Sequence, residues 1–368
     1  MSTKILSIFG TRPEAIKMAP VVAALQNAAG IESVVCVTAQ HREMLNQVLD
    51  LFGIVPHHDL QLMRPNQTLS DLTSRCLTGL DAVLTLESPD WVLVQGDTTT
   101  AMAGALAAFS RKVKVGHVEA GLRSNDKYQP FPEEINRKIV TQIADLNFAP
   151  TEVSRDNLIR EGIPSGLIRV TGNTVIDALQ QVASMDFNWD SSALSGIAED
   201  QDTLLVTAHR RENFGEPILN ICTALRKLAA KYPDLQVVYP VHPNPNIKDI
   251  VYQQLSGLSN VKLCPPLDYL PLVHLMKRSR IVLTDSGGLQ EEAPGLGKPV
   301  LVLREVTERP EGVAAGTVKL VGTNPDRILD EISHLLESNT AYEAMARARN
   351  PYGDGKAAER IVEALTQS

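Results

Sequence analysis

Short apolar runs recur along the chain, each followed by a polar, glycine- or proline-containing turn that gives way to helical spacing. Residues 5–9, 33–38, 91–95, 113–118 and 146–149 are such runs in the first half. Residues 204–207, 236–240, 261–263, 281–284 and 300–303 repeat the pattern in the second. Runs of this length, rich in Val, Ile and Leu without strict alternation, predict strands buried on both faces. The segments between them, among them 43–52, 68–86 and an Ala-rich stretch ending at Phe109, predict helices. Thr11 followed three residues later by Glu14 is a capping box, which starts a helix directly after the first strand, and Pro20 is expected to kink it.

Strand, turn and helix alternate in both halves, so each half is expected to be a mostly parallel sheet with helices on both faces. A chain of 368 residues exceeds what one core supports, and the mixed Ser, Asp and Gly of residues 185–200 interrupt the alternation. The expected division is an amino-terminal Rossmann-like domain over 1–172 and a carboxy-terminal one over 173–355. The last helix, about 356–368, is expected to return onto the first domain. The expected fold class is α/β, with the two sheets facing across a cleft.

Unusual polar residues follow the apolar runs: Arg12, Gln40, Asp97, Glu119, His209, His242, Ser286 and Arg309. That places them beyond the carboxyl ends of strands, where open α/β sheets bind ligands. Ser286-Gly287-Gly288 after residues 281–284 reads as a strand, phosphate turn and helix start, a geometry suited to a diphosphate, with Glu292 one turn on to accept from ribose hydroxyls. Arg12 and Lys17, in the first two turns of a helix, oppose its dipole and so point to an anion held there. Asp97 in an isolated Gly-Asp-Thr also reads as a helix cap, and Glu133 and Glu134 as ordinary first-turn acids. Neither GxGxxG nor GxxxxGK[ST] occurs, which argues against nicotinamide and ATP.

Composition narrows the partners. Net charge is −8 and no basic stripe stands out, so nucleic acid is not expected. With 43% hydrophobic residues and no apolar run long enough for a bilayer, a cytoplasmic enzyme without membrane contact is expected. Cys36, Cys76, Cys222 and Cys264 are scattered singly in apolar surroundings, as core thiols are, with neither disulfide nor metal-ligand spacing. No cofactor and no metal are expected.

The segments 9–17, 96–99, 116–123, 132–134, 209–212, 285–292 and 350–355 together resemble the non-hydrolysing UDP-N-acetylglucosamine 2-epimerases, nearly end to end. The resemblance implies the two-domain GT-B fold, a homodimer, and reversible conversion of UDP-N-acetylglucosamine to UDP-N-acetylmannosamine for cell-surface polysaccharide synthesis. It implies proton work for Asp97, Glu119 and Glu133, with His209 at the diphosphate. UDP would be held by Arg12, Lys17, Ser286, Gly287 and Gly288, the ribose by Glu292, the phosphates or sugar by Arg309, and the base near Leu267 and Leu272. An activator site of some bacterial members would fall at Gln40, Glu43, Asn66, Glu134, Arg210 and His242. Gln95 stands where His is common in the family and Leu272 where an aromatic residue often meets the uracil; Glu43 and Asn66 replace the Gln and Arg of regulated members. The C2 proton is not α to a carbonyl, so losing UDP from C1 to give 2-acetamidoglucal, then adding it back with protonation of the other face, is the chemically sensible route. A GT-B glycosyltransferase, a hydrolysing epimerase and a non-catalytic nucleotide-sugar sensor are the alternatives.

Overall fold

The computed structural model describes residues 2–38, 42–64, 66–190, 192–197 and 201–367. Contacts divide the chain into two compact units, Met1–Ala178 with Tyr352–Ser368, and Leu179–Pro351. Among the described residues the first unit contains strands β1 (Thr3–Phe9), β2 (Ile31–Val37), β3 (His58–Asp59), β4 (Trp91–Gln95), β5 (Lys114–Val118), β6 (Leu146–Ala149) and β7 (Ile168–Val170). They pair in parallel in the order β3-β2-β1-β4-β5-β6-β7. The second unit contains β8 (Thr203–Thr207), β9 (Gln236–Pro240), β10 (Val261–Cys264), β11 (Ile281–Thr284), β12 (Val300–Val302) and β13 (Val318–Leu320). Their parallel order is β10-β9-β8-β11-β12-β13. Both are doubly wound, Rossmann-like sheets.

Each sheet is held by the apolar runs that define its strands. Leu6, Ile8, Val92 and Val94 lie in one buried core with Ala101, Ala105 and Ala108 of the Ala-rich helix Thr99–Ser110. Small side chains let that helix pack closely against the neighbouring helices Leu69–Glu87 and Glu133–Ile143. In the second unit Leu204, Val206, Tyr239, Ile281 and Leu283 pack with Ile221, Leu225 and Ile328. The helix Arg12–Asn27 begins with the full capping box of Thr11 and Glu14 and runs as one element through Pro20. The carboxy-terminal helix Ala357–Thr366 packs on it, and Asp177 Oδ1 accepts the Ala358 N–H at 2.8 Å at its start. All four cysteines are buried and free.

Winding outward in both directions from a central pair leaves a gap at the carboxyl ends of that pair. In the first unit the pair is β1 and β4, followed by the turns that lead to Arg12 and Asp97. In the second it is β8 and β11, followed by His209 and Ser286.

Candidate active site

In the first unit the turn after β4 carries Asp97, whose Oδ2 accepts from Arg137 Nε at 2.9 Å and from the same guanidinium's Nη2. Arg137 stands on the helix Glu133–Ile143, one turn beyond Glu134, and its Nη1 reaches Glu134 Oε2 at 3.2 Å. Burial pushes the Asp97 carboxyl above its ordinary range; Arg137 opposes this, and the neighbouring charge of Glu119 adds to it.

Glu119 follows β5 directly, in a left-handed conformation (φ 65°) unusual for a residue with a side chain, and is 8% exposed. Backbone strain of this kind persists where surrounding contacts over-determine it. Those contacts are on the carboxylate. Lys17 Nζ lies 2.6 Å from Oε1 and 2.8 Å from Oε2, Asn173 Nδ2 donates to Oε1 at 3.0 Å, and Gln95 Nε2 donates to Oε2. Two carboxyl groups in different settings, one raised by burial and paired with a guanidinium, the other gripped by an ammonium and two amides, are the kind of pair that can divide acid and base work.

Two buried groups shape the turns under these carboxylates. Glu14 Oε2 accepts from the N–H of Gly10 (3.0 Å) and Thr11 (2.7 Å), while its Oε1 accepts from Thr98 Oγ1 at 2.6 Å, tying the turn after β1 to the turn after β4. His117 on β5 donates from Nε2 to the Gly96 carbonyl at 2.7 Å. Glu133 opens its helix, and its Oε2 is buried without a hydrogen-bond partner among the described residues. Glu134 takes the N–H of Ser124 at 3.0 Å and of Asn125 at 3.2 Å. Burial alone would raise the Glu134 carboxyl, but these amides and Arg137 hold it below the ordinary range. Arg12 is half-buried at the helix start, and Asn66 is exposed ahead of the helix Leu69–Glu87. Gln40 and the side chain of Glu43 lie outside the described residues.

In the second unit the organising group is Asp285, fully buried at the end of β11. Its Oδ2 accepts the N–H of His209 (2.8 Å) and Arg210 (2.9 Å) and Asn213 Nδ2 (2.8 Å), and its Oδ1 stands 3.1 Å from His209 Nδ1. Burial would raise this carboxyl; His209 and the two amides override it, and Asp285 lies below its ordinary range. A fixed anion thus orients the exposed His209 ring, which stacks on His242 with centroids 5.9 Å apart. Arg210 turns to Glu308, at 3.0 Å.

Ser286 precedes the helix Gly287–Gly295 and makes no side-chain cap of its own, so the first amides of that helix are not claimed by Ser286 Oγ. Arg309 lies against that helix start, its Nε 2.6 Å from Glu291 Oε1. A Cβ on Gly287 would come within 3.0 Å of the Arg309 guanidinium, so glycine is what allows this approach. Tyr269 Oη donates to Glu292 Oε2 at 2.9 Å, fixing that carboxylate one turn into the helix. Leu267 and Leu272 are half-buried, before and within the helix Tyr269–Arg278. A helix start whose N-cap makes no side-chain cap, with a guanidinium against it and a held carboxylate one turn on, has the features that suit a nucleoside diphosphate.

Sequence reading missed Arg137, Asn173, Asp285, Tyr269 and Glu291 as partners of the named groups. Only Asp285 carried a signal, as the polar residue directly after an apolar run. Among the described residues no group of three or more His, Cys, Asp or Glu is placed to hold a metal ion, and no helix is long and apolar enough to cross a membrane.

Comparison with known proteins agrees with this chemistry. The family model for UDP-N-acetylglucosamine 2-epimerase matches residues 23–366. The UDP-N-acetylglucosamine 2-epimerase of Escherichia coli K12 is 54% identical over 368 residues, covering 98% of each chain. The solved UDP-GlcNAc 2-epimerase of Neisseria meningitidis, bound to UDP-GlcNAc, is 51% identical over the whole of both chains with a TM-score of 0.89. The S. aureus MnaA–UDP co-structure is 48% identical, covers 99% of this chain and 96% of that one, and has a TM-score of 0.88. With both Rossmann-like units matched from end to end, this chain belongs to the UDP-N-acetylglucosamine 2-epimerase family, of the non-hydrolysing type, and to the GT-B fold class.

Proposed function

We infer that this protein interconverts UDP-N-acetylglucosamine and UDP-N-acetylmannosamine by inverting C2 of the sugar. The observation that carries the reading is the extent of the family match, 54% identity to an epimerase across 98% of both chains. The acid–base pair of the first unit and the diphosphate turn of the second supply the two kinds of group the reaction needs.

In the mechanism we propose, an enzyme carboxylate takes the C2 proton, the electrons of that C–H bond form the C1–C2 double bond, and the C1–O bond breaks with its pair leaving on the UDP β-phosphate oxygen. The intermediate is 2-acetamidoglucal. Return of the UDP oxygen to C1 and delivery of a proton to the opposite face of C2 give the epimer, so both atoms and charge balance. Asp97, Glu119 and Glu133 carry the proton steps, and His209, oriented by Asp285, meets the departing diphosphate. Arg12, the amides after Ser286 and Arg309 hold UDP, which keeps the leaving group close for its return. Lys17 acts in this reading through Glu119, on which its ammonium already lies.

Asn66, Glu134, Arg210 and His242 would belong to an activator site under the same reading. Here Glu134 is engaged with the 124–125 turn and Arg210 with Glu308, so a second UDP-N-acetylglucosamine would have to compete for both. A cytoplasmic homodimer supplying N-acetylmannosamine for surface polysaccharide completes the proposal. Ile135 and Ile139, one helical turn apart and exposed, offer an apolar strip for the dimer, and sedimentation velocity reads the state.

Proton NMR of UDP-N-acetylglucosamine with the purified protein and no acceptor tests the function. Anomeric signals of both nucleotide sugars approaching one ratio from either side are expected. Free N-acetylmannosamine with UDP would mark a hydrolysing enzyme. No change without an added acceptor would favour a glycosyltransferase, and binding without turnover a sensor.

A further inference from the structure

We propose that Asn173 is a positioning residue for Glu119, holding the carboxylate from the point where the chain is about to leave the first unit. The inference rests on the epimerase reading above and adds to it a residue that acts through Glu119.

Asn173 lies five residues before Ala178, the last residue of the first segment of unit 1, and is 2% exposed. Its backbone N–H donates to the carbonyl of Tyr352 at 2.7 Å, and Tyr352 is where the chain re-enters that unit. The departing and returning segments are therefore hydrogen-bonded to each other at this residue. Gly172 and Gly353 make room for it: a Cβ on Gly172 would lie 3.3 Å from the Gly353 Cα.

The side chain is used at both ends. Oδ1 accepts the Val175 N–H at 3.1 Å, capping the helix Thr174–Ala183, and Nδ2 donates to Glu119 Oε1 at 3.0 Å. Because one end must accept and the other must donate, the amide has a single orientation. Glu119 is thus fixed from separate elements: Lys17 from the helix Arg12–Asn27, Gln95 from the end of β4, and Asn173 from the crossing. The donors at Oε1 and Oε2 restrict the carboxylate's rotation, which matters for a group that must meet C2 along a defined line.

This dual use supplies a variant that separates the roles. Asn173→Asp keeps an oxygen to accept the Val175 N–H and is as good a helix cap, but it cannot donate to Glu119 and places a second carboxylate beside it. Among the described residues the charged and titratable groups facing Glu119 include Lys17, Asp97 and His117. The added negative charge makes proton loss from Glu119 harder, so the limb of the pH–rate profile that Glu119 sets moves to higher pH whether it acts as acid or base.

The experiment measures kcat, KM, the pH–rate profile and thermal melting for full-length wild type, Asn173→Asp and Asn173→Ser, whose hydroxyl caps the helix but falls short of Glu119. Losing a hydrogen bond to a charged group predicts kcat about 10- to 100-fold lower in both, with KM within about threefold. In Asn173→Asp the limb should also rise by about one pH unit. Wild-type kcat in folded Asn173→Asp would overturn the proposal, and so would lower melting with unchanged kcat, or a kcat loss without movement of the limb. Should Asn173→Asp fail to fold, wild-type kcat in Asn173→Ser overturns it equally. An inactive wild type would instead reject the epimerase reading itself.

Discussion

Replacing His117 with Gln removes a titrating group from the floor of the first unit and keeps its hydrogen bond. His117 is fully buried, and because its Nε2 donates to the Gly96 carbonyl, the bare nitrogen is Nδ1, buried with no partner among the described residues. Charging the ring would put a proton on Nδ1 with no acceptor to receive it. Burial accordingly pushes His117 down from 6.5 to about 4, with Arg123 and Arg137 adding to the effect while the Gly96 carbonyl and Glu119 oppose it. The unfolded chain binds this proton below 6.5 and the folded one only below about 4, so stability is intact above that window and is lost as pH falls through it. A shift of that size corresponds to about 3 kcal/mol. The Gln amide nitrogen occupies the place of Nε2, donates to the same carbonyl and has no charge to acquire. Urea unfolding of wild type and His117→Gln at neutral pH and near pH 4 should show the stability difference moving by about 3 kcal/mol in favour of the variant. A difference that stays constant with pH would refute the reasoning, because His117 would then titrate alike in both states.

Other perturbations address each unit in turn. Arg137→Met strips Asp97 of two charge-assisted donors; kcat should fall about 100-fold and the limb set by Asp97 should move to higher pH, and an unchanged profile would contradict the pairing. Gly287→Ala drives a methyl to within 3.0 Å of the Arg309 guanidinium, so KM for UDP-N-acetylglucosamine should rise about tenfold with melting near wild type, and an unchanged KM would remove Arg309 from the nucleotide site.

What the chain disclosed by itself follows from how each feature is encoded. Strands β4, β6, β9 and β11 have the bounds their apolar runs indicate, since a strand buried on both faces writes its whole length in side chains. The two-residue edge strand β3, His58–Asp59, was not foreseen: it is joined to β2 through backbone atoms, which leave no mark on side-chain type. The capping box at Thr11 is local and could be read directly. Pro20 was expected to kink its helix, and the helix Arg12–Asn27 continues through it as one element. The identity of each charged partner was hidden because it depends on the fold. Arg137 meets Asp97 across 40 positions, Asn173 meets Glu119 across 54, and Lys17 meets Glu119 across 102. Lys17 illustrates the consequence, since a cation near a helix start was read as facing an anionic ligand, and in the folded chain its ammonium lies on a carboxylate of the same unit.

Turnover in deuterium oxide tests the central claim most directly. If a carboxylate of the first unit removes the C2 proton and the opposite face is protonated from solvent-exchanged groups, UDP-N-acetylmannosamine formed from UDP-N-acetylglucosamine will carry deuterium at C2 from the first turnovers, read as loss of the C2 proton signal. Product that retains its original C2 proton would contradict the account.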